Sequence, residues 1–231
     1  MKIKKTEEYL KIAVLGESGV GKTSLCARLT KDYYHTGYEL TVGVHIHSHI
    51  VEFEGRPQHI LLYDVAGQPR FDVMLDVFIR GAVGVLLVYD CSSVLTFFSL
   101  EEIWLPFITR YLPGVSIVLV SNKSDQTEFR EVSESQVELF LLEHAEEFNF
   151  VSFVRTSART GVCIEEMIRE IVAACNLPPA FRMAPRNALL VGAEGLVQPT
   201  MNVGTHALSC MPSSYNRQQL TNSKTEEKQE G

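Results

Sequence analysis

Residues 16–23 constrain this chain more than any other segment, because they read GESGVGKT and fit G-x-x-x-x-G-K-[S/T] at each fixed position. The run before them, 10–15, is apolar and β-branched, as in a buried parallel strand. After them, Leu25 and Leu29 stand four residues apart, the spacing of one helix face. A strand that turns through glycines into a helix directs backbone N–H groups at one concavity, which favours an anion such as phosphate.

Two side chains in this segment have specific expected roles. Lys22 is expected to reach the β- and γ-phosphates of a nucleotide, and the Thr23 hydroxyl to ligate Mg²⁺. The alternative is a strand–helix turn that contains glycines and a lysine by chance. The flanking strand and helix patterns favour the nucleotide site.

Composition limits the remaining possibilities. The chain has 231 residues, 45% of them apolar, which predicts one globular domain with an additional segment. Its net charge of −7, with no basic stripe, argues against a nucleic-acid partner. Five cysteines without paired spacing do not form a disulfide framework, and this indicates a reducing compartment.

The two ends of the chain are expected to carry no membrane signal. Polar residues 6–8 interrupt the N-terminus before any long apolar stretch, so we expect neither a signal peptide nor a membrane span. Residues 178–231 are rich in proline, glycine and polar residues and are predicted to be a disordered tail without a prenylation signal. A short docking segment around 188–191 is the alternative within that tail.

Strand and helix patterns alternate along the first 177 residues. Helices are predicted at 23–29, between 69 and 79, and at 95–111, 133–148 and 163–174. Strands are predicted at 10–15, 44–53, 58–65, 83–89, 115–120 and 150–155. Because 44–53 and 58–65 flank a turn, they form a hairpin. The pattern predicts a doubly wound α/β sheet with one antiparallel edge and a ligand at the carboxyl ends of the strands.

Three loops that follow predicted strands carry polar residues suited to a guanine nucleotide. At the end of 58–65 stands Asp64, which would hold Mg²⁺ through water. After that strand come Gly67, whose amide can approach the γ-phosphate, and Gln68, which can orient a water. After 115–120 comes Asn122-Lys123-Ser124-Asp125. The Asp125 carboxylate can accept both the N1–H and the exocyclic amine of guanine, a donor pair that adenine lacks. After 150–155 comes 156–158, which can offer a backbone N–H to guanine O6.

Together these segments resemble the Ras superfamily of small GTPases over roughly residues 8–177, and its Rab branch in particular. The Rab likeness includes GESGVGKT, TVGV at 41–44, DVAGQ at 64–68, RGA at 80–82, and Trp104. The resemblance implies a P-loop NTPase fold with a six-stranded, mostly parallel sheet, one antiparallel edge strand and five flanking helices. It also implies a cycle between GDP and GTP states in which loss of the γ-phosphate releases both switch segments.

The resemblance implies a set of site residues. Gln68, Lys22 and Thr41 would be catalytic, and Thr23, Thr41 and Asp64 would hold Mg²⁺. Those expected to bind GTP or GDP are Glu17, Ser18, Gly19, Val20, Gly21, Lys22, Thr23, Ser24, Tyr34, Tyr38, Thr41, Gly67, Asn122, Lys123, Asp125, Ser157, Ala158 and Arg159.

The resemblance also implies an exchange factor, a GTPase-activating protein and effectors that bind through residues 33–46 and 64–80 of a monomer. The aromatic triad that Rab effectors grip maps to Ile46, Tyr63 and Phe78, which changes its shape. Pro69 stands where Rab proteins usually carry glutamate. Proline fixes the backbone angle φ and removes an N–H from the second switch segment, within residues 64–80. With no lipid anchor, the protein is expected to be cytoplasmic and brought to membranes at most by its partners.

A weaker feature is the alternation of histidines in the strand predicted at 44–53. His45, His47 and His49 alternate and therefore share one face of a strand, which predicts a solvated edge; a metal site or a pH-sensitive effector surface is the alternative.

For the whole chain, a GTP-hydrolysing switch is the first hypothesis. A GTP-bound scaffold that scarcely cycles is the second. An ATP-dependent enzyme is the third, and Asp125 disfavours it.

Overall fold

The computed structural model describes residues 9–31, 43–67 and 77–176. Within them the chain forms a six-stranded sheet with the order β2-β3-β1-β4-β5-β6. The strands are β1 (Tyr9–Leu15), β2 (Val44–Phe53), β3 (Arg56–Val65), β4 (Gly84–Asp90), β5 (Ser116–Asn122) and β6 (Asn149–Arg155). Only the β2–β3 pair is antiparallel, and the other pairs are parallel. The predicted sheet, including its antiparallel edge, is confirmed.

The described residues contain five α-helices that flank the sheet, the number that the resemblance implies, although two of them divide the helix predicted at 95–111. They are α1 (Lys22–Lys31), α2 (Val94–Ser99), α3 (Leu105–Tyr111), α4 (Glu134–Glu143) and α5 (Ile164–Asn176). The helix predicted after Pro69 falls mainly on 68–76, outside the described residues, and 77–79 are helical. None of the described helices is long and apolar enough to cross a membrane.

The helix predicted at 95–111 is interrupted. A π-helical segment, Leu100–Trp104, joins α2 to α3. Pro106 lies in the first turn of α3, and a proline there would clash with the carbonyl four residues earlier in a continuous α-helix. The wider π turn relieves this clash and places Trp104 in the core with 1% of its surface exposed.

The helix predicted at 133–148 is shorter than expected. It begins with a capping box, in which Ser133 accepts from the Gln136 N–H and the Gln136 side chain accepts from the Ser133 N–H. It ends at Glu143, because His144 leaves the helical region and turns follow to 147.

Two apolar layers hold the helices against the sheet. β4 and β5 are buried along their whole length, as an apolar run without alternation predicts for central parallel strands. On one face, Phe97 of α2, Trp104 of the π-helical segment and Phe140 of α4 pack together. On the other face, α1 and α5 contribute Leu25 and Ile168.

The histidine face of β2 is not the solvated edge that the sequence predicted. His45 is exposed, but His47 and His49 are half-buried, because α1 and α5 both contact β2. Burial lowers the pKa of His49, against the opposing influence of Glu165. Among the described residues, no three histidine, cysteine or acidic side chains could hold a metal ion.

Candidate nucleotide-binding site

The turn from β1 into α1 is shaped by glycines. Gly16 and Gly21 have φ of 140° and 98°, which L side chains rarely adopt. A Cβ on Gly16 would collide with the Val88 carbonyl oxygen, and one on Gly21 with the Asn122 side-chain amide. These positions therefore require glycine both for conformation and for close approach to neighbouring strands.

Lys22 lies under this turn with 5% of its surface exposed. Its ammonium donates hydrogen bonds of 2.8 Å to the carbonyls of Gly16 and Glu17. Burial lowers the pKa of Lys22 to about 8, and the charges of Asp64 and Glu17 partly oppose this. An anionic phosphate would supply the countercharge that favours the protonated lysine.

Thr23 and Asp64 meet at the start of α1. The Thr23 hydroxyl donates to Oδ2 of Asp64 at 2.6 Å. Burial raises the pKa of Asp64, opposed by the Thr23 hydrogen bond and Lys22. Oδ1 of Asp64 is buried and has no hydrogen-bond partner among the described residues. A buried carboxylate oxygen without a partner beside a hydroxyl matches the hard oxygen ligands that Mg²⁺ takes, so these residues fit the ion.

The segment that follows β3 touches the glycine turn between β1 and α1, called the phosphate-side turn below because a phosphate is expected there. A Cβ on Gly67 would lie 2.6 Å from the Glu17 carbonyl carbon and 2.7 Å from the Ser18 Cα. These neighbours are backbone atoms, which cannot move aside as a flexible side chain would. Gly67 therefore allows the two loops to lie in contact.

Asn122, at the end of β5, links three loops. Its amide nitrogen donates to the Val20 carbonyl at 2.8 Å. Its amide oxygen accepts from the Thr156 hydroxyl and from the Ala158 N–H, both at 3.2 Å. The residue is 1% exposed, so these bonds are formed in a buried setting where losing a partner is costly.

Asp125 is held by the loop that follows β6. Its Oδ1 accepts from the Ser157 hydroxyl at 2.6 Å, and Ser157 in turn accepts from the Thr160 N–H at 3.1 Å. The Arg159 guanidinium lies 3.8 Å from the other Asp125 oxygen and is largely exposed. A carboxylate fixed in this way is preorganised to accept two parallel donors from a purine edge.

Lys123 has a partner that the sequence analysis missed. Its ammonium lies 2.6 Å from Oδ2 of Asp90, the last residue of β4. The thiol of Cys91, the next residue, donates to the Lys123 carbonyl at 3.3 Å. Asp90 ends a strand that neighbours β5, so its position at the carboxyl edge of the sheet was an available signal.

The structure gathers the predicted site residues that it describes at the carboxyl ends of β1, β3, β5 and β6. One group surrounds the glycine turn and comprises Glu17, Ser18, Gly19, Val20, Gly21, Lys22, Thr23, Ser24, Asp64 and Gly67. The other group comprises Asn122, Lys123, Asp125, Ser157, Ala158 and Arg159. Tyr34, Tyr38, Thr41, Gln68 and Pro69 lie outside the described residues, as does the tail at 178–231.

Comparison with known proteins agrees with this arrangement. The sequence model of the Ras family matches residues 11–177. The chain is 31% identical over 200 residues to Ras-related protein Rab-11A of Dictyostelium discoideum, covering 84% of this chain and 91% of that protein. It is 30% identical over 204 residues to human Ras-related protein Rab-8B, covering 86% and 93%. It is 33% identical over 161 residues to rat Ras-related protein Rab-13, covering 69% and 76%.

Proposed function

The chain belongs to the Ras family of small GTPases, and from that premise we propose that it is a Rab-like GDP/GTP switch acting in membrane traffic or signalling. Members of this family bind guanine nucleotide and hydrolyse GTP. In the proposed cycle, GTP orders residues 33–46 and 64–80, effectors bind those segments, and hydrolysis releases them.

One observation carries the proposal. Asn122 joins the phosphate-side turn, through the Val20 carbonyl, to the loop that holds Asp125, through the Ala158 N–H. A nucleoside diphosphate needs both a phosphate cradle and a base pocket at a fixed separation. These two hydrogen bonds form the Asn122 bracket. They support a site in which the phosphate cradle and the base pocket are held at a fixed separation.

The residues have distinct proposed roles in hydrolysis. Lys22 and the backbone amides of the glycine turn stabilise charge on the phosphoryl oxygens, and Gln68 orients the attacking water. Bound Mg²⁺, held by Thr23, Thr41 and Asp64, would neutralise phosphate charge. None of the proposed catalytic residues is an arginine, so intrinsic hydrolysis should be slow, on the order of 10⁻⁴ to 10⁻³ s⁻¹ as for Ras, and an activating protein is expected.

The proposed effector surface includes part of β2 and β3. Ile46 and Phe78 are 54% and 38% exposed, and Ile46 lies directly opposite Tyr63 in the hairpin. Exposed apolar side chains within the segments 33–46 and 64–80 support recognition by protein partners. We further propose that the monomer is cytoplasmic and reaches membranes through such partners. Pull-downs with the protein loaded with GDP or with a non-hydrolysable GTP analogue should recover GTP-dependent binders.

The decisive experiment measures bound nucleotide and its turnover. Nucleotide extracted from the purified protein should be GDP or GTP, and single-turnover assays should release phosphate from GTP in the presence of Mg²⁺. Gln68→Leu should bind GTP as the wild type does while its hydrolysis falls at least tenfold. Permanently bound GTP without phosphate release would instead support the scaffold hypothesis, and displacement of GDP by equimolar ATP would contradict guanine selectivity.

A further inference from the structure

We propose that the end of β4 and the turn after it, residues 90–92, form a clamp that fixes Lys123 and thereby sets how long a guanine nucleotide stays bound. Within this β4 clamp, Asp90 is a positioning residue that acts through Lys123. The inference rests on the proposed function, because it concerns nucleotide binding by the same site.

The first contact of the β4 clamp is the ion pair between Asp90 and Lys123. The two charged atoms are 2.6 Å apart, and the side chains of Asp90 and Lys123 are 9% and 32% exposed. A pair this close and this sheltered from water is stronger than an ordinary surface pair. It selects one conformation of a side chain that would otherwise sample many.

Asp90 is itself held in place before it meets the lysine. Its Oδ1 accepts from both the N–H and the hydroxyl of Ser92, at 2.9 and 2.6 Å. Its own N–H donates to the Thr96 hydroxyl at 3.0 Å. The carboxylate therefore presents Oδ2 to Lys123 from a fixed position and loses little freedom in forming the pair.

The second contact of the β4 clamp acts on the main chain. The Cys91 thiol donates to the Lys123 carbonyl at 3.3 Å, and the Cys91 N–H donates to the Asn122 carbonyl at 3.1 Å. Lys123 has a φ of 62°, in the left-handed region that non-glycine residues seldom occupy. Such a conformation persists when its surroundings hold it, and Cys91 contributes to that support together with the Gln126 N–H, which donates to the same carbonyl at 2.9 Å.

These contacts matter because of where Lys123 stands. It lies between Asn122, which binds the Val20 carbonyl, and Asp125, which is held by Ser157. If Lys123 were mobile, nucleotide binding would have to order it, and that cost would weaken binding. The clamp orders Lys123 before the nucleotide arrives.

The test compares nucleotide dissociation from Asp90→Asn and from the wild type, using a fluorescent GDP analogue and excess unlabelled GDP. The amide keeps the shape but removes the charge, and we expect dissociation about tenfold faster. Glu131→Gln is the matched control: the Glu131 main chain contacts the clamp, since its N–H donates to the Cys91 carbonyl, but the substitution changes only the side chain, whose Oε2 accepts the Val94 N–H at 2.9 Å. Its dissociation rate should remain within twofold of the wild type.

A double-mutant cycle separates positioning from general destabilisation. If Asp90 acts through Lys123, Asp90→Asn should add little in a Lys123→Met background. An equal acceleration in both backgrounds would overturn the proposal. Ser92→Ala, which removes one donor to Asp90, should speed dissociation two- to threefold and provides a milder variant if Asp90→Asn folds poorly.

The outcomes also separate this inference from the proposed function. A wild-type protein that retains no guanine nucleotide would contradict both. If the wild type retains guanine nucleotide, and both Asp90→Asn and Ser92→Ala release it at the wild-type rate, only the clamp is contradicted.

Discussion

The side-chain amide of Asn122 donates a 2.8 Å hydrogen bond to the main-chain carbonyl of Val20, 102 positions earlier in the chain. Gly21 makes room for this contact, since a Cβ there would collide with the amide. The glycine turn between β1 and α1 and the loop that follows β5 are therefore joined by this hydrogen bond. If either loop moved alone, this hydrogen bond would break.

Asn122→Asp should disrupt both halves of the site. A carboxylate cannot donate to the Val20 carbonyl and would repel it, which costs about 3 kcal/mol for a buried charged group. We expect GDP affinity to fall by about 100-fold or more. Isothermal titration of the nucleotide-stripped protein measures this.

A matched control for that variant is Asn149, the first residue of β6, which lies beside the start of β5 at the opposite edge of the sheet. The Asn149 amide donates to the Ser116 hydroxyl at 3.2 Å, far from the site along the strand. Asn149→Asp should leave GDP affinity unchanged. Equal losses in the two variants would show that Asn122 has no special role.

Asp125→Asn should change which base is bound. The carboxylate offers two acceptors to guanine, whereas an amide offers one acceptor and one donor. A site built around a hydrogen-bonding pair discriminates strongly, by about 10⁴-fold in well-formed cases, so GDP affinity should fall by several orders of magnitude. Xanthosine diphosphate, which carries an oxygen in place of the amine, should bind the variant more tightly than it binds the wild type. Competition binding of GDP against xanthosine diphosphate, in the wild type and in the variant, measures this change. If the variant still preferred GDP as strongly as the wild type does, Asp125 would have no role in base recognition.

Gly67→Ala should impair hydrolysis while leaving base selectivity intact. Its Cβ would meet the backbone of Glu17 and Ser18 at less than 3 Å, so the segment after β3 must move away from the phosphate-side turn. We expect the single-turnover hydrolysis rate to fall at least tenfold, because the neighbouring Gln68 moves with it.

Gly55→Ala is the control for that prediction. Gly55 lies in the β2–β3 turn, with φ of 72° and open space where a Cβ would stand. The substitution costs about 1 kcal/mol of backbone strain, and hydrolysis should be unchanged. Wild-type hydrolysis in Gly67→Ala would show that the close contact is dispensable.

Nucleotide affinity should fall as the pH rises above about 8. Burial lowers the pKa of Lys22 to about 8 in the nucleotide-free protein, and bound phosphate raises it again by favouring the charged form. Binding therefore takes up a proton in the window above the free pKa, and affinity decreases there by up to about tenfold per pH unit. Well below pH 8, at about pH 6 to 7, the lysine is almost fully protonated and this dependence disappears.

Fluorescence titrations with GDP from neutral to alkaline pH measure the effect. Lys22→Arg supplies the comparison, because its guanidinium stays charged throughout while the guanine base titrates equally in both proteins. The GDP affinity that remains in this variant should not show the decrease with pH that deprotonation of Lys22 causes in the wild type. A wild-type affinity that stays level to about pH 9 would contradict the lowered pKa.

Local sequence determined much of this molecule. The apolar runs of β4 and β5, the glycine turn into α1 and the alternating hairpin of β2 and β3 were predictable, because strand and helix periods depend on near neighbours. The polar residues that follow successive strands also predicted that the candidate site lies at the carboxyl edge of the sheet. Asp64, Asn122 and Asp125 lie where that argument placed them.

Tertiary structure decided which side chains meet. The Asp90–Lys123 pair, the Asn122 bracket and the burial of His47 and His49 depend on which strands are neighbours and which helices cover them. Those contacts join residues distant in the chain, and nothing in the local pattern around either partner specifies the other. The sequence by itself determined the elements and the chemistry available at their ends, whereas packing determined the partners, because hydrogen bonds and ion pairs act only over a few ångströms.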